Sequence, residues 1–372
     1  MGIKISLLFV VLFGGAVAFV AQAFLTDRSS LHNNRKRALI CPSKLSATEL
    51  STLPEGISPF AKGLSKSLDV QGDFRRRAVQ AIRNAASSGV ELIEVEFPPL
   101  IGGGMSKSQF DDFDNVQELN KNRDWCIQCL PDLDPKPIWF ILPDLKECEL
   151  AKEEWTGSRF RDAATWTTIE AVTEFYSDGE YSKPWGASIA SGLNSFLGGD
   201  KGDAGLLGDT RSMDELKEAP KIHLVCQPGN GGPMEDWINV EKIHTAAPDG
   251  TTTVVVNGAL DKVRDGYYPP VFFPKLGATV DRFYRKFDAA FYLRPLTDKG
   301  RYGWLYRVYP EPWQVVLQTV GVRADGARYV ADAVVHTSAE RPGLAEAVRL
   351  LVEGARRLEA EGEAKAAAGP QE

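Results

Sequence analysis

Val90-Glu91-Leu92-Ile93-Glu94-Val95-Glu96-Phe97 decides the fold. Apolar and β-branched residues dominate it, and Pro98-Pro99 closes it, so it reads as a strand. Upstream, Asp73 can cap a helix whose apolar face runs through Phe74, Ala78, Val79, Ile82 and Ala85, with Gly89 stopping it. Downstream, Val116, Leu119, Cys126 and Leu130 keep near-helical spacing, and residues 137–142 (PIWFIL) form a continuously apolar strand. Residues 162–175 have a helical pattern. Two more apolar strands follow, residues 221–226 (KIHLVC) and 252–257 (TTVVVN), around a helix at 234–245. Apolar strands alternating with helices imply an α/β fold: a largely parallel sheet with helices on both faces.

The pattern changes after residue 290. Strand-like runs at 290–293, 303–309, 313–322 and 328–335 are punctuated by Asp298-Lys299-Gly300 and Asp325-Gly326. These are turn residues, so antiparallel C-terminal strands extend the sheet. An amphipathic helix is expected at 343–355 through Leu344, Val348, Leu351 and Val352, and a frayed charged tail at 356–372. A single domain is expected over 70–352, interrupted by a glycine-rich insertion at about 177–220.

The first 48 residues have a different composition. Lys4 precedes an apolar run, and Ala16-Val17-Ala18 and Ala21-Gln22-Ala23 offer cleavage sites before Phe19 and Phe24; residues 1–23 read as a signal peptide. A retained membrane anchor over 5–25 is the other reading. Residues 24–48 are basic, hydroxyl-rich and acid-poor, the composition of a transit peptide. Signal, transit segment and junction phenylalanine resemble the bipartite presequences of algae with complex red-lineage plastids, which implies a plastid stroma destination. The whole chain has 43 basic and 50 acidic residues; without residues 1–48, which hold six basic and one acidic, 37 face 49, a net of −12. That acidic body argues against a nucleic-acid binder. Beyond the first run, no apolar stretch approaches membrane-spanning length.

Candidate sites are few, and none is a catalytic signature. Gly229, Asn230, Gly231 and Gly232 lie between a strand and a helix, where anion-binding loops sit, but match neither the dinucleotide nor the phosphate-loop spacing. Gly102-Gly103-Gly104-Met105-Ser106-Lys107-Ser108 has Ser106 where the phosphate loop requires Gly before Lys. Trp125-Cys126-Ile127-Gln128-Cys129 has the form of a thiol–disulfide site, and equally of two core cysteines on a helix. Cys148 and Cys226 lack zinc spacing, and no metal or cofactor is expected. Asp111, Asp112 and Asp114 read as a magnesium cluster or a solvated loop. His223 alternates within a strand as a core residue. Tyr309-Pro310 and Pro312-Trp313 form an aromatic corner that reads as packing, or as a docking surface from which Tyr309, Pro310 and Trp313 offer contact area to a partner.

Several motifs carry a family resemblance. They are Val95-Glu96-Phe97-Pro98-Pro99, Val254-Val255-Val256-Asn257, Gly266-Tyr267-Tyr268-Pro269, Tyr306 to Val315 (YRVYPEPWQV) and Arg341-Pro342. Over roughly 74–352 the chain resembles a plastid and cyanobacterial domain-of-unknown-function family that includes the plant low photosystem II accumulation assembly factor. The resemblance implies a non-catalytic auxiliary factor for photosystem II assembly or accumulation. Its partners would be photosystem II subunits or other assembly factors, with at most peripheral thylakoid association. The residues themselves leave open an enzyme or ligand-binding domain for a nucleotide or another phosphorylated compound.

Overall fold

The structure is a computed structural model that describes residues 50–54, 73–98, 112–177, 218–229, 234–265, 267–322 and 326–367. Helix α1 (Asp73–Ser87) buries Phe74, Ala78, Val79, Ala81, Ile82 and Ala85, the stripe the sequence spacing dictates. Strand β1 (Leu92–Glu96) leads to α2 (Asp112–Cys129), β2 (Ile138–Leu142), α3 (Leu145–Glu154) and α4 (Ser158–Arg161). Next come β3 (Thr165–Thr168), α5 (Ile169–Ser177), β4 (Ile222–Cys226), α6 (Glu235–Ala246) and β5 (Thr252–Val256). After α7 (Leu260–Arg264) and α8 (Pro274–Arg282), the chain forms β6 (Asp288–Asp298), β7 (Arg301–Val308), β8 (Trp313–Val322), β9 (Arg328–Ser338) and α9 (Leu344–Ala367).

The nine strands form one sheet in the order β3-β2-β4-β5-β1-β6-β7-β8-β9. Pairing is parallel from β3 to β6 and antiparallel from β6 to β9. The fold is therefore α/β, with a parallel core and antiparallel C-terminal strands. Strands β2, β4 and β5 are buried at every position, which is why they read as unbroken apolar runs. The β6–β7 hairpin turns on Lys299 and Gly300, both at positive φ, as a two-residue turn between right-twisted strands requires.

Three apolar layers cover the sheet. Helices α1, α2 and α3 pack on one face, joining Phe74, Trp125 and Cys148 to Phe140, Val254 and Phe291. On the other face, α5, α6, α7 and α8 bring Val172, Trp237, Leu260 and Val280 onto Trp139, Val225 and Val255. Helix α9 covers the antiparallel strands with Ala347, Leu351 and Ala355. Its seat is close: a Cβ on Gly303 would lie 2.3 Å from the Val316 carbonyl oxygen and 2.5 Å from Leu351.

Two expectations are corrected. The helix expected at 162–175 is a strand followed by a helix: Trp166, Thr167 and Thr168 pair with Phe140, Ile141 and Leu142, and Trp166 packs edge-on to Phe140 at 5.5 Å. Tertiary pairing of β-branched residues overrides the local pattern. The frayed tail expected from 356 is helical through Ala367, with Arg357 donating to the Val335 carbonyl and Arg301 paired with Glu359. Its Ala, Glu, Arg and Lys content favours helix over coil. Residues 178–217, where the insertion was expected, and 1–49 lie outside the described residues.

Candidate functional site

The sheet topology places the candidate site. The chain leaving β1 runs to α2 on one face, while that leaving the adjacent β5 runs to α7 and α8 on the opposite face. Loops that diverge from neighbouring parallel strands open a crevice at their carboxyl ends, the usual ligand position in open α/β sheets. Here those ends are laced by amides. Asn257 accepts the Phe97 N–H through Oδ1 at 2.9 Å and donates Nδ2 to Asn122 Oδ1 at 2.9 Å; Asn122 donates to Gln227 Oε1 at 2.6 Å. Asn122, Gln227 and Asn257 are buried. Gln227, Asn257 and Ala259 all have positive φ, at 46°, 48° and 50°. Non-glycine residues held there cost on the order of 1–3 kcal/mol each and cluster at ligand clamps and active sites.

A charged cluster adjoins this edge. Glu94, buried in β1, accepts Arg264 at 2.5 Å and Arg341 at 3.2 Å. Asp261, on α7, accepts the Tyr292 hydroxyl and Arg294, each at 2.5 Å, and Arg341. Burial pushes the Asp261 carboxyl up, but Arg341, the Tyr292 hydrogen bond, Arg294 and Arg264 outweigh it and hold it below the ordinary range. Arg341 also lies over the Tyr292 ring at 4.3 Å and the Trp313 ring at 5.1 Å. Two carboxylates thus face three guanidinium groups. Glu96, two residues along β1, shares their face of the strand; its Oε2 is buried and has no hydrogen-bond partner among the described residues. Burial first, then repulsion from Glu94 and Asp261, pushes its carboxyl up to about 8. Glu96 can therefore hold or release a proton near neutrality.

The sites expected from sequence fare differently. Gly229 has φ +74°, a Cβ there would meet the Trp237 ring at 2.6 Å, and its N–H donates to Asp236 Oδ2 at 3.1 Å. The anion-binding position at Gly229 is thus filled by the protein's own carboxylate. Burial pushes Asp236 up to about 7, opposed by the Gly229 hydrogen bond. Asn230, Gly231 and Gly232 lie outside the described residues, as do the 102–108 loop and Asp111; Asp112 and Asp114 fall in the first turn of α2. Among the described residues, no group of three or more His, Cys, Asp or Glu is arranged to hold a metal ion.

Cys126 and Cys129 have the surroundings of the core-cysteine reading. Both thiols are buried, and Cys126 and Cys129 lie in the last turn of α2 instead of at the start of an α-helix. Burial pushes both thiols well up, whereas a reactive pair needs a thiolate stabilised at a helix N-terminus. Of the residues offered for partner contact, Trp313 lies in the interior. Trp313 is buried against Tyr292 at 5.1 Å and under Arg341. Tyr309 is half-buried beside Arg307, and only Pro310 of the corner is exposed. His223 is buried, with its ring pushed down to about 3 by burial and then His244, so it is neutral.

The profile described as Domain of unknown function (DUF1995) matches residues 72–349. This chain belongs to that family. No curated protein and no solved structure matches the chain. Within the DUF1995 domain, the Glu94–Asp261–Arg341 cluster escaped the sequence reading. The signal was present: Glu94 and Glu96 alternate inside a strand whose other residues are apolar, and Arg341 precedes the proline before the last helix.

The DUF1995 domain also exposes apolar surface. Val320 and Val330 face each other across β8 and β9, Val334 opposes Val316, and Val322 opposes Arg328. Val320, Val322, Val330 and Val334 are exposed on the face opposite α9, and β9 is the last strand of the sheet among the described residues. A second exposed group, Tyr267, Val271 and Phe272, stands on the α7–α8 connection. No helix among the described residues is long and apolar enough to cross a membrane.

Proposed function

We propose that this protein is a non-catalytic auxiliary factor of photosystem II assembly or accumulation in the plastid stroma, reached through the bipartite presequence. It binds a photosystem II subunit or another assembly factor. The observation that carries the reading is the valine stripe Val320, Val322, Val330 and Val334 across β8 and β9, with β9 the edge strand of the sheet among the described residues. An apolar edge strand is a template for strand addition by an extended segment of another chain, with alternate side chains giving specificity. Proteins that have no use for such an edge blunt it with charge or proline; here Asp332 is the charge between Val330 and Val334, and its carboxylate already accepts from Gln318 at 2.8 Å. Disrupting the gene is expected to lower photosystem II abundance and alter its assembly intermediates. Unchanged abundance and unchanged intermediates overturn the proposal.

A second reading rests on Gln227, Asn257 and Ala259, three left-handed residues at the carboxyl ends of β4 and β5. Left-handed residues collected at the carboxyl ends of parallel strands suit a site for a nucleotide or another phosphorylated compound. Thermal stabilisation by such a compound favours this reading, because a ligand that binds only the folded state raises its stability. No shift with any nucleotide counts against it.

A further inference from the structure

The Tyr267–Phe273 connection is built to present apolar side chains outward. Tyr268 and Phe273 turn inward: their rings meet edge-on at 5.6 Å, and Tyr268 packs on the Trp237 ring at 5.6 Å. The Phe272 and Phe273 N–H groups both donate to the Pro269 carbonyl, at 2.9 and 3.0 Å, closing a tight turn. Pro269 and Pro270 fix their own φ and stiffen it. Three side chains are left in solvent: Tyr267 is 64%, Val271 86% and Phe272 76% exposed. A turn anchored from beneath, with valine and phenylalanine at its tip, forgoes burial that the core could have supplied.

Charge identifies the occupant. Residues 260–287 hold six Lys and Arg and three Asp, a net of +3 in a chain whose total is −7; Arg264, Arg282 and Arg285 are held in ion pairs with Glu94, Glu241 and Asp281, so the basic surround is made by the exposed Lys262, Lys275 and Lys286. Lys262 and Lys275, both exposed, bracket the turn. A protruding tip of valine, phenylalanine and tyrosine with a basic surround is the arrangement of a surface that enters a bilayer interface: apolar groups reach the acyl boundary, tyrosine sits at headgroup level, and lysines meet anionic headgroups.

We propose that the Tyr267–Phe272 turn docks this protein on an anionic lipid surface, inserting Tyr267, Val271 and Phe272 while Lys262 and Lys275 contact headgroups. The turn and its charges are separate from the valine stripe, so this proposal stands or falls independently of the photosystem II reading.

The test uses the chain from Leu50 onward, which contains every described element and all three apolar layers, and omits the apolar leader that would bind lipid by itself. It is sedimented with protein-free vesicles of phosphatidylcholine alone, and of phosphatidylcholine and phosphatidylglycerol in equal parts. The wild-type protein is expected to sediment with the anionic vesicles and to be released by salt. Val271→Ser with Phe272→Ser lowers that binding by roughly tenfold or more. Lys262→Glu with Lys275→Glu abolishes the preference for phosphatidylglycerol, since each basic residue near such a surface contributes about fivefold. All four positions are exposed, so equal melting temperatures verify that the variants fold. A wild-type protein that stays in the supernatant, or a serine variant that sediments like wild type, overturns the proposal. Retention on protein-bearing membranes without binding to vesicles also overturns it, and assigns the turn to a protein partner.

Discussion

The side-chain oxygen of Asn257 accepts the backbone N–H of Phe97 at 2.9 Å, tying the end of β5 to the end of the neighbouring β1. Asn257 also donates its N–H to the Val95 carbonyl at 2.8 Å, so one residue stitches two strand ends through backbone and side chain. Asparagine suits the position because it tolerates the left-handed backbone and still bonds locally.

Asn257→Ala is expected to cost about 2–4 kcal/mol, because it orphans the buried Phe97 N–H and the Asn122 oxygen and keeps an unfavourable φ. Asn257→Gly removes the same hydrogen bonds but relieves the φ, so it is expected to be about 1 kcal/mol more stable than the alanine variant. Urea unfolding of both variants checks this. Equal stability of the two would show that the left-handed backbone carries no strain.

Glu96 makes stability pH-dependent in a defined direction. Its carboxyl is raised from 4.5 to about 8 by burial, then Glu94 and Asp261, with Arg294 and Arg341 pulling the other way. Between those values the unfolded chain has released the proton that the folded protein retains, so stability falls as pH rises through the window. Asp236 acts in the same sense, from 3.8 to about 7. Glu96→Gln keeps the neutral shape and removes only the Glu96 part. It is expected to match wild type near pH 5 and to be more stable at pH 9, by on the order of 1–3 kcal/mol. Denaturation curves across that range decide the matter, and parallel pH profiles for variant and wild type would refute the assignment.

Why some of this was legible in the sequence and some was not follows from where each signal resides. Strands β2, β4 and β5 declare themselves because both faces are buried and only apolar or β-branched residues fit. Helix α1 declares itself through a single buried stripe. Strand β3 did not, because four residues with two adjacent threonines take their conformation from pairing with β2, a partner more than twenty residues away. The Asn257–Asn122–Gln227 relay and the Glu94–Asp261–Arg341 cluster were hidden for the same reason: their members are separated by up to 247 residues and meet only when the sheet forms. The thiols were ambiguous for the opposite reason: the local W-C-x-x-C pattern fits a redox site and two core cysteines alike, and only the packing around it separates them.

Cys126 and Cys129 are expected to resist alkylation in the folded protein. Each is buried, and desolvation favours the thiol over the nucleophilic thiolate. Mass spectrometry after a short pulse of iodoacetamide at pH 8 should find both unmodified, and both modified once the protein is unfolded. Labelling of either thiol in the native state at the rate seen in denaturant would restore a redox role.

Val330→Lys with Val334→Lys separates binding from folding. Both side chains are more than 40% exposed, so the pair is expected to change stability by no more than about 1 kcal/mol in total. Lysine on an edge strand blocks strand addition, because an incoming strand would have to bury the ammonium groups. Tagged wild-type protein is therefore expected to retain photosystem II subunits or assembly factors from plastid membranes, and the double-lysine variant to lose them. Size-exclusion chromatography of the wild type supplies the control: a dimer that the lysines dissociate would mean that the edge pairs with a second copy of this chain. Retention of the same subunits by the variant would clear β9 of any role in partner binding.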